Sequence, residues 1–149
     1  RPEFEPLKEA FFSKGISIFF QDELGRALGL NFHGTQIILL DRRDLFGNRY
    51  LLANVLAHEG THALQRQFSL GSNVCDSLRQ MEIGNKTIPS DFYKWTAEEL
   101  LQGIRTRRLG AYHTSLWMLY RLGYYNLDSL RSVITTGRVN GEPLLPNCP

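Results

Sequence analysis

Long apolar runs are missing from this 149-residue chain. No stretch approaches the roughly eighteen apolar residues that a membrane-spanning helix needs, and no basic-then-apolar leader opens the chain, so a soluble protein is expected. The first residue is Arg1 and not Met, as in a processed or excised piece. Excess charge is missing too. A formal charge of +2 gives no electrostatic support for binding nucleic acid or an anionic membrane, and basic residues cluster only at Arg42-Arg43 and at Arg105, Arg107 and Arg108. A solvated helix face is the default reading of the second cluster, although it could meet an acidic substrate segment. There are only two cysteines, Cys75 and Cys148, too few for a disulfide framework. They permit one bridge, which would pin the tail Pro146-Asn147-Cys148-Pro149 and imply an oxidising compartment; two free thiols fit the sequence equally well. Low-complexity segments, internal repeats and linkers are also absent. With 42% hydrophobic and 21% charged residues the chain can bury a core, and residues 1–149 are expected to form a single domain.

The hydrophobic pattern predicts an α+β fold. Phe4, Leu7, Ala10, Phe11 and Phe12 recur at helical spacing over 3–13, and Gly15 stops them. Ile16-Ser17-Ile18-Phe19-Phe20 reads as a strand, and the runs 27–32 and 35–40 flank His33-Gly34 as a hairpin would, which makes a small sheet of about three strands. Asn48 is a candidate N-cap for an apolar helix running from Tyr50 to about Phe68 and closing at Ser69-Leu70-Gly71. A short helix carrying Val74, Leu78, Met81 and Ile83 follows, then breakers at Gly84 and Pro89. From Ser90 or Thr96 the remainder is mostly helical: a segment through Trp95, Leu100 and Ile104, another from His113 to Leu122, and a last one over 126–134.

Within the first long helix stands His58-Glu59-Gly60-Thr61-His62. Positions i and i+4 share a helix face, so His58 and His62 can present imidazole nitrogens to one metal ion, and Glu59 projects beside them, placed to take a proton from water. A charged glutamate and two histidines on an apolar helix need partners, and a metal supplies them. Gly60 costs about 1 kcal/mol relative to Ala inside a helix, which points to a close neighbour.

This arrangement, H-E-x-x-H on the first long helix after a strand, resembles the minimal zincin core of zinc metallopeptidases. The likeness in layout covers about 16–112 and is sharp only at the five motif residues. It implies a small sheet packed on the motif helix with a mostly helical C-terminal part, a catalytic Zn2+ held by three protein ligands, and an edge strand, here 35–40, that aligns the substrate. Metzincins add a glycine and a third histidine, and Gln65 and Phe68 stand at those positions, which excludes that class. The gluzincin arrangement of two histidines and a downstream glutamate is the nearest. Glu98 and Glu99 lead as third ligand. Thr96-Ala97-Glu98-Glu99 fits a capping box that would occupy Glu99, so Glu98 ranks first, with Gln102 one turn on as a donor to it. Glu82 matches the thermolysin-like spacing from His62, but Gly84 and Asn85 break the helix at once, so it ranks third. Asp76 and Asp91 rank lower still, and a solvated carboxylate is the ordinary fate of any of these.

The resemblance implies zinc-dependent hydrolysis of a peptide bond in a peptide or protein substrate. Glu59 acts as general base, and a donor from the helical C-terminal part stabilises the oxyanion; His113 and Tyr112 are the first candidates for it, with Tyr124 and Tyr125 nearby. Packing alone would equally explain a buried His or Tyr there. The competing readings are a metal-binding module without catalysis, and a helical interaction domain in which the motif is coincidence. A secreted toxin or effector of small size is a third context for the same chemistry. A monomer, in a secreted or extracytoplasmic setting tied to the Cys75–Cys148 bridge, is the expected state.

Overall fold

A computed structural model describes residues 2–12, 17–22, 29–31, 37–45, 47–65, 68–84, 91–136, 138–139 and 142–143. After a 3-10 turn at Pro2–Phe4, helix α1 spans Glu5–Phe12. Strands β1 (Ser17–Gln21), β2 (Gly29–Asn31) and β3 (Ile37–Asp41) form one sheet in the order β1-β3-β2. β1 and β3 are a parallel pair, whereas β2 runs antiparallel to β3, as the hairpin reading required. The α+β class holds. One expectation fails: the strand at 37–41 is the centre of the sheet and not its edge. Among the described residues β2 is paired on one side only, and it runs beside the motif helix.

A short helix α2 (Arg42–Leu45) leads into α3, Arg49–Leu64, which carries the motif. Asn48 caps it as expected, its side chain accepting from the Leu51 N–H at 3.0 Å. The helix is shorter than its apolar pattern suggested. It ends at Leu64, where the Gln65 cap N–H bonds back to the Ala63 and Thr61 carbonyls. Helix α4 spans Val74–Ile83, capped by Asn73, and a 3-10 turn at Phe92–Lys94 precedes α5, Ala97–Arg105. α6 restarts at Ala111 after Gly110 and runs to Arg121, and α7 spans Leu127–Thr136 before the two-residue strands β4 (Arg138–Val139) and β5 (Glu142–Pro143).

Two apolar clusters explain why α3 is hydrophobic all round. On its sheet side, Val55 and Ala63 meet Ile38, Leu40 and Leu45. Against its other side stands a helical core in which Leu7, Phe11, Leu100, Ile104, Trp117 and Leu130 are nearly out of water. Held between a sheet and a bundle, α3 exposes only Arg49, and its other residues are buried or half-buried. Gly60 is where α1 comes closest: a Cβ there would lie 2.7 Å from Phe11 Cδ2, the close neighbour its position implied. Cys75 is disulfide-bonded; Cys148, the partner expected for it, lies outside the described residues. Among the described residues no helix is long and apolar enough to cross a membrane.

Candidate metal centre

His58 and His62 lie one above the other on α3, rings 4.9 Å apart and close to perpendicular. The acidic side chain that meets them is Glu82, in the last turn of α4. His62 Nε2 is 2.6 Å from Glu82 Oε1, and His58 Nε2 is 3.1 Å from Glu82 Oε2. One ligand atom from each of the three residues falls within a 4.8 Å span, a grouping that could hold a metal ion.

The carboxylate grouped with the histidines is therefore the one ranked third from the sequence, not Glu98 or Glu99. Glu98 is exposed in the first turn of α5, outside the cluster. Glu99 is exposed in its capping box, receiving the Thr96 N–H at 3.2 Å while the Thr96 hydroxyl accepts the Glu99 N–H at 3.2 Å. Gln102 is also exposed and bonds no ligand. Asp76 and Asp91 are exposed as well, at the starts of α4 and of the 3-10 turn. Glu82 ranks third from the sequence because Gly84 and Asn85 break the helix at once. Gly84 does end the helix, as its C-cap with φ 77°, but α4 runs through Ile83 and so still carries Glu82 in its last turn. That left-handed residue lets the chain turn after the carboxylate has been delivered.

Close backbone packing holds Glu82 in place. A Cβ on Gly110 would sit 2.2 Å from the Glu82 carbonyl carbon, and one on Gly84 would sit 2.2 Å from the Arg108 carbonyl oxygen. The end of α4 and the start of α6 therefore cross with no room for side chains. From α6, Tyr112 brings its ring edge-on to His58, centroids 4.8 Å apart. Burial, together with the Glu82 and Glu59 charges, pushes the Tyr112 hydroxyl above its ordinary range. His113, the other donor candidate, is committed elsewhere. It is buried, its Nδ1 accepts the Gly110 N–H at 3.0 Å, and burial pushes it down to about 4. Tyr124 is exposed against Tyr50, Tyr125 packs on the helical core, and Arg107 and Arg108 lie over the rings of Phe68 and Trp95.

Glu59 is only 7% exposed, and its Cγ lies beneath β2, where a Cβ on Gly29 would come within 3.1 Å of it. Burial raises the Glu59 carboxyl above the usual carboxylate range; the two imidazoles offset part of this, and Glu82 adds to it. Burial also favours the neutral form of Glu82, yet the two imidazole contacts and their charge outweigh it and hold that carboxyl down at about 2. For His62 burial works against charge, but Glu82, Glu59 and Gln65 together raise it.

Sequence reasoning missed Gln65, which is 1% exposed. Its Oε1 is 2.9 Å from His62 Nδ1, and its Nε2 donates to the Met81 carbonyl at 2.9 Å. Its signal was present but misread: a glutamine three residues after a histidine on one helix can reach that ring. With Nδ1 engaged, Nε2 is the nitrogen His62 turns toward Glu82.

The donor set could hold a metal ion. Two Nε2 atoms and a carboxylate converge, and Oε2 is buried without a well-aligned hydrogen bond. The gap between His62 Nε2 and Glu82 Oε1 needs a positive particle, a proton in the metal-free chain or a metal ion replacing it. Comparison with protein-family models, with curated proteins and with solved structures finds no match.

Proposed function

We propose that this chain is a zinc-dependent peptidase of the gluzincin kind, with His58, His62 and Glu82 as metal ligands and Glu59 as general base. The observation that carries the reading is the convergence of His58, His62 and Glu82 within 4.8 Å, with Glu59 buried on the same helix beneath the edge strand. Zinc in such a set supplies Lewis acidity, which polarises a carbonyl and lowers the pKa of water to about 7. The chain's own residues do the rest. Glu59 takes the proton from the attacking water and returns it to the leaving amine nitrogen. Tyr112, edge-on to His58, is the candidate donor to the oxyanion. Among the described residues β2 is paired on one side only, and its other edge offers main-chain groups to an extended peptide, which favours a peptide or protein substrate. The disulfide at Cys75 supports an extracytoplasmic setting, in keeping with a secreted toxin or effector, and we take the working unit to be a monomer.

A peptide-cleavage screen of the zinc-loaded chain beside Glu59→Gln tests this. Cleavage by the parent, with a loss of about 10²–10⁴-fold in the variant while zinc stays bound, is the expected result. Equal turnover by parent and variant would refute Glu59 as the base, and a parent that binds zinc and cleaves nothing would leave a metal-binding module in place of an enzyme.

A further inference from the structure

Gln65 carries more than a single hydrogen bond. A glutamine amide almost fully removed from water must find partners for both ends, and here they belong to two different helices. The Met81 carbonyl can only accept, so the atom facing it is the amide nitrogen, and Oε1 necessarily faces His62. An acceptor at Nδ1 requires the proton there, so in the neutral ring that binds a metal Nε2 is the nitrogen left free, on the side of Glu82. The second bond fixes something different. Met81 immediately precedes Glu82, so the same amide ties the peptide beside the carboxylate to the helix of the histidines.

We infer that Gln65 is the positioning residue of the metal site, one amide setting both which His62 nitrogen is free to ligate and how far Glu82 stands from it. This rests on reading His58, His62 and Glu82 as a metal site. An apolar side chain would fill the same volume, but it would leave the His62 ring free to turn and the Met81 carbonyl without its donor. Outer partners that orient a ligating histidine typically change metal affinity by about 10–100-fold.

The test is zinc affinity, measured by chelator competition on the full chain, for the parent, Gln65→Leu, Gln65→Glu and the exposed control Gln102→Leu. Gln65→Leu should bind about 10–100-fold more weakly. Gln65→Glu, which keeps an acceptor for the Nδ1 proton but cannot donate to Met81, should fall between it and the parent, and the control should match the parent. A folded Gln65→Leu that binds zinc like the parent, or a Gln65→Glu no tighter than Gln65→Leu, overturns the inference. A ring-nitrogen NMR spectrum of the zinc-loaded parent decides even if Gln65→Leu does not fold. Nδ1 of His62 protonated is expected, and Nε2 protonated with Nδ1 on the metal overturns it. A parent that binds no zinc sinks the metal reading itself, a result distinct from either of these.

Discussion

Gly110 presses on the peptide of Glu82 so closely that a methyl group there would lie 2.2 Å from the Glu82 carbonyl carbon and 2.5 Å from the Ile83 nitrogen. Both neighbours are backbone, so neither can swing aside. Gly110→Ala should therefore push the end of α4 away from α3 and separate Glu82 from the histidines. The overpacking should cost about 1–3 kcal/mol, read from denaturant unfolding of the metal-free chain. Zinc affinity should fall as well, read by chelator competition.

Removal of the acidic ligand separates the two candidate carboxylates. Glu82→Ala should abolish stoichiometric zinc binding, exceeding the roughly 10–100-fold loss expected of an outer partner. Glu98→Ala should leave binding intact, because Glu98 faces water in the first turn of α5. Dialysis against zinc followed by elemental analysis of both variants measures this directly.

Acid should act on the metal-free chain in separable windows. His113 is buried neutral, its folded pKa lowered from 6.5 to about 4, so the unfolded chain binds the proton more readily. Its contribution is complete above pH 6.5 and is lost as the pH falls toward 4, about 3 kcal/mol in all. Glu82, held down at about 2, stabilises the folded chain above its ordinary 4.5 and loses that contribution as the pH falls through about 2. His62 has the opposite sign. Its raised folded pKa stabilises the chain at low pH, and that part is lost as the pH rises through it. Urea unfolding of the parent and His113→Gln between pH 7 and 4 should show a shallower pH dependence in the variant.

The contact between α1 and α3 can be probed at Gly60. Alanine there gains about 1 kcal/mol of helix propensity but drives a methyl to 2.7 Å from the buried Phe11 ring. Overpacking of about 1–3 kcal/mol should win, giving a lower unfolding midpoint; pairing Gly60→Ala with Phe11→Leu should recover part of it.

Much of this was legible in the chain. His58, Glu59 and His62 announce themselves by spacing, the Asn48 cap and the Thr96–Glu99 capping box by residue type, and the close neighbour at Gly60 by the cost of a helical glycine. The third acidic group was not, because choosing Glu82 over Glu98 depends on how α4 packs against α3 and on a backbone crossing at Gly110 that no local pattern encodes. Strand order was hidden for the same reason. Periodicity marks the strands and suggests the hairpin, but not the order β1-β3-β2; the edge role of 35–40 came from the zincin resemblance, and β3 is the centre. Gln65 was read only as standing where the metzincin glycine would be, since its second partner, Met81, is sixteen residues away.

The most direct measurement of the central claim is anomalous scattering at the zinc edge from crystals of the zinc-loaded chain. The account predicts one strong peak bonded to His58 Nε2, His62 Nε2 and the Glu82 carboxylate, at about 2.0–2.2 Å from each. A zinc-loaded crystal with no peak between α3 and α4, or a peak ligated by Glu98 in place of Glu82, would contradict it.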